Sequence, residues 1–130
     1  MSNNLKFYIN GEWVNSDSSE LIDVINPASE EVIGQVTAGT NEDINKAVNA
    51  ASNAFILFSK SSKEERIELL NKIIKEYENR YEDLAEVITK EMGAPKWLSD
   101  RAQANTGLIN FKETLEALEG YEFEKEDGGY

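Results

Sequence analysis

The chain has 130 residues, and its 25 acidic against 13 basic side chains give a formal charge of −12, a balance that argues against nucleic acid and against anionic membrane surfaces. It contains no cysteine and no histidine, which excludes a disulfide, a thiolate nucleophile and a Cys-type zinc site and removes the commonest general base. The length is one domain's worth, no stretch is apolar enough to span a bilayer, and the start, MSNNLKFYIN, has no signal-peptide core, so a cytoplasmic location is the default.

The first third predicts strands and turns. Leu5, Phe7 and Ile9 alternate with Lys6, Tyr8 and Asn10. Asn10-Gly11 suits a type I′ turn, and Glu12-Trp13-Val14 returns as the partner strand. Asn15 to Glu20 is a polar loop. Leu21 to Asn26 is a short extended run, ended by Pro27, which biases Asn26 away from helix. Glu31 to Thr37 is a further strand, with Val32 and Val36 apolar and Gly34 interrupting, and Gly39 closes the region.

Helices follow. Thr40-Asn41-Glu42-Asp43 offers a cap and first-turn acids. Ile44, Ala47, Val48, Ala51, Phe55 and Phe58 then recur at three- and four-residue steps, the stripe of an amphipathic helix. Ser62 and Glu65 form a capping box. Ile67, Leu70, Ile74, Tyr77, Tyr81, Leu84 and Ile88 predict two helices in near succession, with a break around Asn79. Gly93 fits a left-handed helix end and Pro95 a helix start. Trp97, Arg101, Ala104, Leu108, Phe111, Leu115 and Leu118 predict another helix, which Gly120 ends. Tyr121 to Tyr130 alternates aromatics with acids and reads as extended.

The last helix also has an uncharged second face of Gln103, Thr106, Gly107, Asn110 and Thr114, and Gly128-Gly129-Tyr130 completes no element. Both predict a chain that packs on something further. The residues carry no phosphate-cradling motif, neither G-x-G-x-x-G nor G-x-x-x-x-G-K-[ST]. Glu64, Glu65, Glu68 and Glu76 lie at helical spacing among Lys63, Lys72 and Lys75, which is the pattern of a solvated face and not of a metal site. Pattern and spacing thus reach an α+β chain, β-hairpin and short strands followed by a helical region, and no reaction.

Three ordered stretches go further. Phe7-Tyr8-Ile9-Asn10-Gly11-Glu12-Trp13-Val14 is the first. Val24-Ile25-Asn26-Pro27-Ala28-Ser29 with Glu31-Val32-Ile33-Gly34-Gln35-Val36 is the second, and Glu91-Met92-Gly93-Ala94-Pro95 is the third. With Ala47, Val48, Ala51 and Phe55 between them, they resemble the opening of the NAD(P)-dependent aldehyde dehydrogenase superfamily, over essentially the whole chain.

The resemblance implies a piece of a larger α/β Rossmann-like fold. Residues 1–119 would be the N-terminal part of its cofactor-binding domain, and residues 120–130 the start of the strand leading into the oligomerisation region. It implies oxidation of an aldehyde substrate to a carboxylic acid through a cysteine thiohemiacetal, with NAD or NADP as cofactor and a homo-oligomer at full length. The family's catalytic cysteine and glutamate and its cofactor-binding glycines lie downstream. The expectation is therefore no catalytic residue, no tightly bound cofactor and no activity in this chain alone. The resemblance also implies a monovalent cation held by the backbone at Val24 and Ile25 and by Glu91, and a substrate tunnel lined in part by Thr106 and Asn110. The alternatives are a non-catalytic remnant, or an interaction module that docks on a full-length homologue.

Overall fold

The computed structural model describes residues 3–124 and 128. The chain divides into two compact units, Met1–Lys60 with Val87–Pro95 and Ser61–Glu86 with Lys96–Tyr130.

The first unit opens with strands β1 (Lys6–Ile9) and β2 (Glu12–Asn15), paired antiparallel with Phe7 opposite Val14 and Tyr8 opposite Trp13. Asn10 and Gly11 both have positive φ, 54° and 82°, as a type I′ turn requires. Tyr8 and Trp13 meet across the ladder with ring centroids 5.2 Å apart. A second hairpin pairs β3 (Leu21–Asn26) with β4 (Glu31–Thr37), and the two hairpins form separate two-stranded sheets. Thr37, buried at the end of β4, donates its hydroxyl to Leu5 O at 2.9 Å and ties the second hairpin to the residue before β1.

Helix α1 (Asn41–Phe58) begins where the sequence places it. Thr40 and Asp43 form a reciprocal capping box. Asp43 is buried, and its carboxylate accepts from Ser16 Oγ at 2.6 Å, Thr40 N at 2.9 Å and Thr40 Oγ1 at 2.8 Å. One carboxylate thus caps α1 and anchors the loop after β2. The Ser16 hydroxyl, then the Thr40 donors, hold the Asp43 carboxyl below its usual 3.8, with Lys46 adding a smaller effect. A lowered folded-state pKa contributes stability that is present above the unfolded value and lost as pH falls through the folded one. Amide exchange in the first turn of α1 is therefore expected to accelerate as pH is lowered from 5 through and below 3.8, after correction for intrinsic rates. Asp43→Asn is expected to flatten that dependence; a profile unchanged by the substitution would rule the carboxylate out as its source.

The apolar stripe of α1 meets a different fate from the one its spacing predicts. Ile44, Val48, Phe55 and Phe58 are 58%, 57%, 66% and 54% exposed. Among the described residues, the buried apolar side chains are Ile74, Ala85 and Ala104, all in the second unit. Periodicity marks a face built for burial, but these residues bring little to cover it.

In the second unit, α2 (Lys63–Asn79) starts at the Ser62–Glu65 capping box and stops at Arg80, next to the predicted break at Asn79. Helix α3 (Tyr81–Met92) follows at once and runs on into the first unit. The short α4 (Lys96–Leu98), a π-helical turn (Ser99–Gln103) and α5 (Ala104–Gly120) come next. Gly120 is the last residue of α5 and not the one beyond it, a shift of one residue at a fraying end. Helices α2 and α5 pack antiparallel. Lys63 Nζ donates to Glu119 O and Tyr121 O at the C-terminal end of α5, Lys112 meets Glu78 at 2.7 Å, and the Tyr77 and Phe111 rings stand edge-on at 5.9 Å. A cation on the last carbonyls of a helix is favourable. Tyr121–Glu124 is neither helix nor strand; Phe123 lies against Tyr121 and under the Arg66 guanidinium. Residues 125–127, 129 and 130 of the expected closing strand lie outside the described residues.

Candidate functional site

Val24 and Ile25 sit at an irregularity in the second hairpin. Val24 pairs with Gly34 but Ile25 pairs with Val32, so Ile33 is an extra residue bulged out of β4 opposite them. A bulge disrupts the ladder locally and re-aims backbone groups. Just beyond, the chain turns tightly: Asn26 Oδ1 accepts from Ala28 N at 2.9 Å, Asn26 O accepts from Glu30 N at 2.8 Å, and Glu30 takes φ 60°.

The end of α3 is seated on this turn. Gly93 has φ 64°, and a Cβ there would lie 2.8 Å from Ala28 N, 2.9 Å from Ala28 Cβ and 3.1 Å from Pro27 Cγ. Glycine is needed for the left-handed backbone and for the closeness of the approach. The segment after Glu91 is thereby held against the segment after Ile25. Glu91 itself is exposed on the last turn of α3, where the helix dipole adds negative potential to its own charge. Backbone carbonyls at a bulge plus one carboxylate at a helix C-terminus are oxygen donors of the kind a hard cation takes. Among the described residues no three His, Cys, Asp or Glu side chains cluster as a metal site, so any cation here would depend mainly on the backbone.

Thr106 and Asn110 are exposed on one face of α5. The Thr106 hydroxyl donates to Ala102 O at 2.8 Å, and Asn110 O accepts from Thr114 Oγ1 at 2.7 Å. Gly107 and Ala104 of α5 meet Tyr77, a member with Tyr81 of the apolar stripe read from the sequence, so Gly107 of the uncharged second face packs within this chain. Tyr77 OH donates to Ala104 O at 2.8 Å, Tyr81 OH donates to Asp100 O, and the two rings lie 6.4 Å apart. Burial pushes the Tyr77 phenol up, and the neighbouring Tyr81 adds to it. Gly107 makes room for this: a Cβ there would fall on the Tyr77 hydroxyl and 3.0 Å from its Cζ. A glycine in the middle of an otherwise good helix is the sequence signal of this close approach.

Among the described residues, the N-termini of α1 and α2 do not offer a phosphate cradle. Pyrophosphate binding uses free N–H groups at a helix N-terminus behind a glycine-rich loop. The N-termini of α1 and α2 are each occupied by the carboxylate of their own capping box, Asp43 and Glu65, with Glu42 and Glu64 beside them. Those charges would repel phosphate. The cavity between Tyr8, Ile9, Asn10 and Gly11 of the first hairpin and Ala47, Ala51 and Ala54 of α1, 380 Å³, has no charged side chain in its lining. No helix among the described residues is long and apolar enough to cross a membrane.

Comparison with known proteins bears on all of this. The aldehyde dehydrogenase family profile matches residues 13–127. A Staphylococcus haemolyticus protein named "Putative aldehyde dehydrogenase" is 52% identical over 128 residues, 98% of this chain and 27% of that protein. A Staphylococcus aureus protein of the same name is 54% identical over 123 residues, 95% of this chain and 26% of its own. Among solved structures, an aldehyde dehydrogenase from Bartonella henselae superposes with TM-score 0.95 at 35% identity, over 99% of this chain and 28% of that one. A mutant aldehyde dehydrogenase C from Pseudomonas syringae, in complex with NAD+ and octanal, superposes with TM-score 0.93 at 34% identity, over 97% and 26%. The chain thus spans about a quarter of the length of the relatives it matches. With ordered motifs, hairpins and helices all matching, the chain belongs to the aldehyde dehydrogenase family.

Proposed function

We propose that this chain is the N-terminal segment of an NAD(P)-dependent aldehyde dehydrogenase that oxidises an aldehyde to a carboxylic acid, and that it is not competent by itself. The observation that carries this reading is a match over 98% of the chain to a relative of which it covers 27%, in a sequence with no cysteine. Acyl transfer through a thiohemiacetal requires a thiolate, which this chain cannot provide. The NAD+ complex of the Pseudomonas syringae relative supports a nicotinamide cofactor for the whole enzyme, its pyrophosphate held by residues other than these.

Within the whole enzyme, the backbone at Val24 and Ile25 with Glu91 would hold a monovalent cation, and Thr106 and Asn110 would face the substrate tunnel. Residues 1–119 would belong to the cofactor-binding domain and residues 120–130 would lead into the strand by which subunits pair as a homo-oligomer in the cytoplasm. The exposed face of α1 gives weight to a second reading, an interaction module that docks on a full-length homologue.

An antibody against this segment, used to weigh the product in the cells that make it, separates the two. A product several times heavier than 14.6 kDa is expected; a product of 14.6 kDa that co-purifies with a longer dehydrogenase would favour the docking module. The purified chain is expected to reduce no NAD with any aldehyde, and sustained turnover by a contaminant-free sample would overturn the proposal.

A further inference from the structure

Tyr77 and Tyr81 lie one helical turn apart, across the break at Arg80. Their hydroxyls donate to the carbonyls of Ala104 and Asp100, which are also one turn apart. Between those carbonyls the helix leaves α geometry. Ser99–Gln103 form a π turn, in which the Ala104 N–H bonds Ser99 O. An α-helix would direct that N–H to Asp100 O. The π register removes this donor from Asp100 O, and the Tyr81 hydroxyl stands in its place. Ser99 and Ala104, five residues apart, are both 0% exposed, so the core is packed around the π spacing and not the α spacing. Insertions of this kind recur at functional sites.

We propose that Tyr81 is a positioning residue: its hydroxyl holds the π turn and so sets the rotation of α5 relative to α4, with Tyr77 anchoring the first carbonyl of α5. A π turn carries one residue more than an α turn, and one α-helical residue corresponds to about 100° of rotation. Loss of the insertion would turn one side of the junction against the other by about that angle. The functional consequence rests on the reading that α5 lines the substrate tunnel. On that reading, the Tyr81 hydroxyl decides that Thr106 and Asn110, and not their neighbours, face it.

Through-hydrogen-bond couplings in the isotope-labelled 130-residue chain read the register directly. The Ala104 amide is expected to correlate with the Ser99 carbonyl in the unsubstituted chain and in Y77F, and with the Asp100 carbonyl in Y81F. A correlation that stays at Ser99 in Y81F overturns the proposal whatever the loss of stability, and so does one at Asp100 in the unsubstituted chain. Should Y81F fail to fold, the same substitution is combined with deletion of Arg101. This removes the extra residue and the need for the Tyr81 donor. Helical dichroism is then expected to return, and a combined variant as unfolded as Y81F overturns the proposal. None of these readouts depends on aldehyde oxidation, so a failed enzyme assay would count against the functional reading alone.

Discussion

Gly93→Ala is expected to be among the most damaging single substitutions in the first unit, costing about 3 kcal/mol from left-handed backbone strain and steric overlap together. The atoms in the way are Ala28 N at 2.8 Å and Ala28 Cβ at 2.9 Å. A backbone nitrogen that the Asn26 side chain already holds cannot step aside without opening the turn. Gly11→Ala is the matched control. Gly11 also has positive φ, 82°, but a Cβ there meets nothing within 4 Å, so only the backbone strain of about 1–2 kcal/mol applies. Urea unfolding of both variants, with amide exchange at Glu30 as the local probe of the turn, measures the difference. Equal costs would mean that the end of α3 is not seated on the Pro27–Ala28 turn. The Val24, Ile25 and Glu91 donors would then have no reason to share a site.

That seating joins two of the motifs on which the family resemblance rests, Asn26-Pro27 and Gly93-Ala94-Pro95. The sequence presents them more than sixty residues apart, and periodicity cannot say that they touch. Local features were readable because local chemistry determines them. Asn10-Gly11 requires its turn, Thr40 and Ser62 cap the helices they precede, and Gly93 takes the left-handed conformation that ends α3. The π turn was not readable. Trp97, Arg101 and Ala104 fit an α-helical stripe with Leu108 and Phe111, but Trp97 is 63% exposed and Ser99 is buried in its place. The deciding interaction, Tyr81 on Asp100 O, joins residues from separate helices, which spacing along one helix cannot register.

The α1 stripe shows the same limit from the other side. Its three- and four-residue steps mark a face for burial, yet Phe55 is 66% and Phe58 54% exposed. Apolar side chains left in water forgo roughly 1.5–3 kcal/mol each. A run of them on one helix is a surface made to be covered. The Bartonella henselae relative has the same backbone at TM-score 0.95 and a chain of which this one covers 28%. In a chain of that length, such a face has further residues to pack against.

Gly107→Ala is expected to change sign with its partner, which makes it the sharper probe of the second unit. In an exposed helix interior, Gly→Ala stabilises by about 1 kcal/mol. Here the added methyl falls on the Tyr77 phenol, whose ring stands edge-on to both Tyr81 and Phe111. Moving that ring aside costs the hydrogen bond to Ala104 O, about 1 kcal/mol, and loosens two aromatic contacts of about 0.5–1.5 kcal/mol each. The balance is a net loss of about 1–3 kcal/mol in the unsubstituted chain. With Tyr77→Ala already in place the obstacle is gone, and the same Gly107→Ala change is expected to stabilise by about 1 kcal/mol. Four thermal unfolding curves close this double-mutant cycle, and a coupling energy of about 2–4 kcal/mol is expected from it. A coupling near zero would mean that the phenol does not occupy the space over Gly107. Tyr77 could not then anchor the first carbonyl of α5, and the setting of the helix that carries Thr106 and Asn110 would have to come from its apolar face alone.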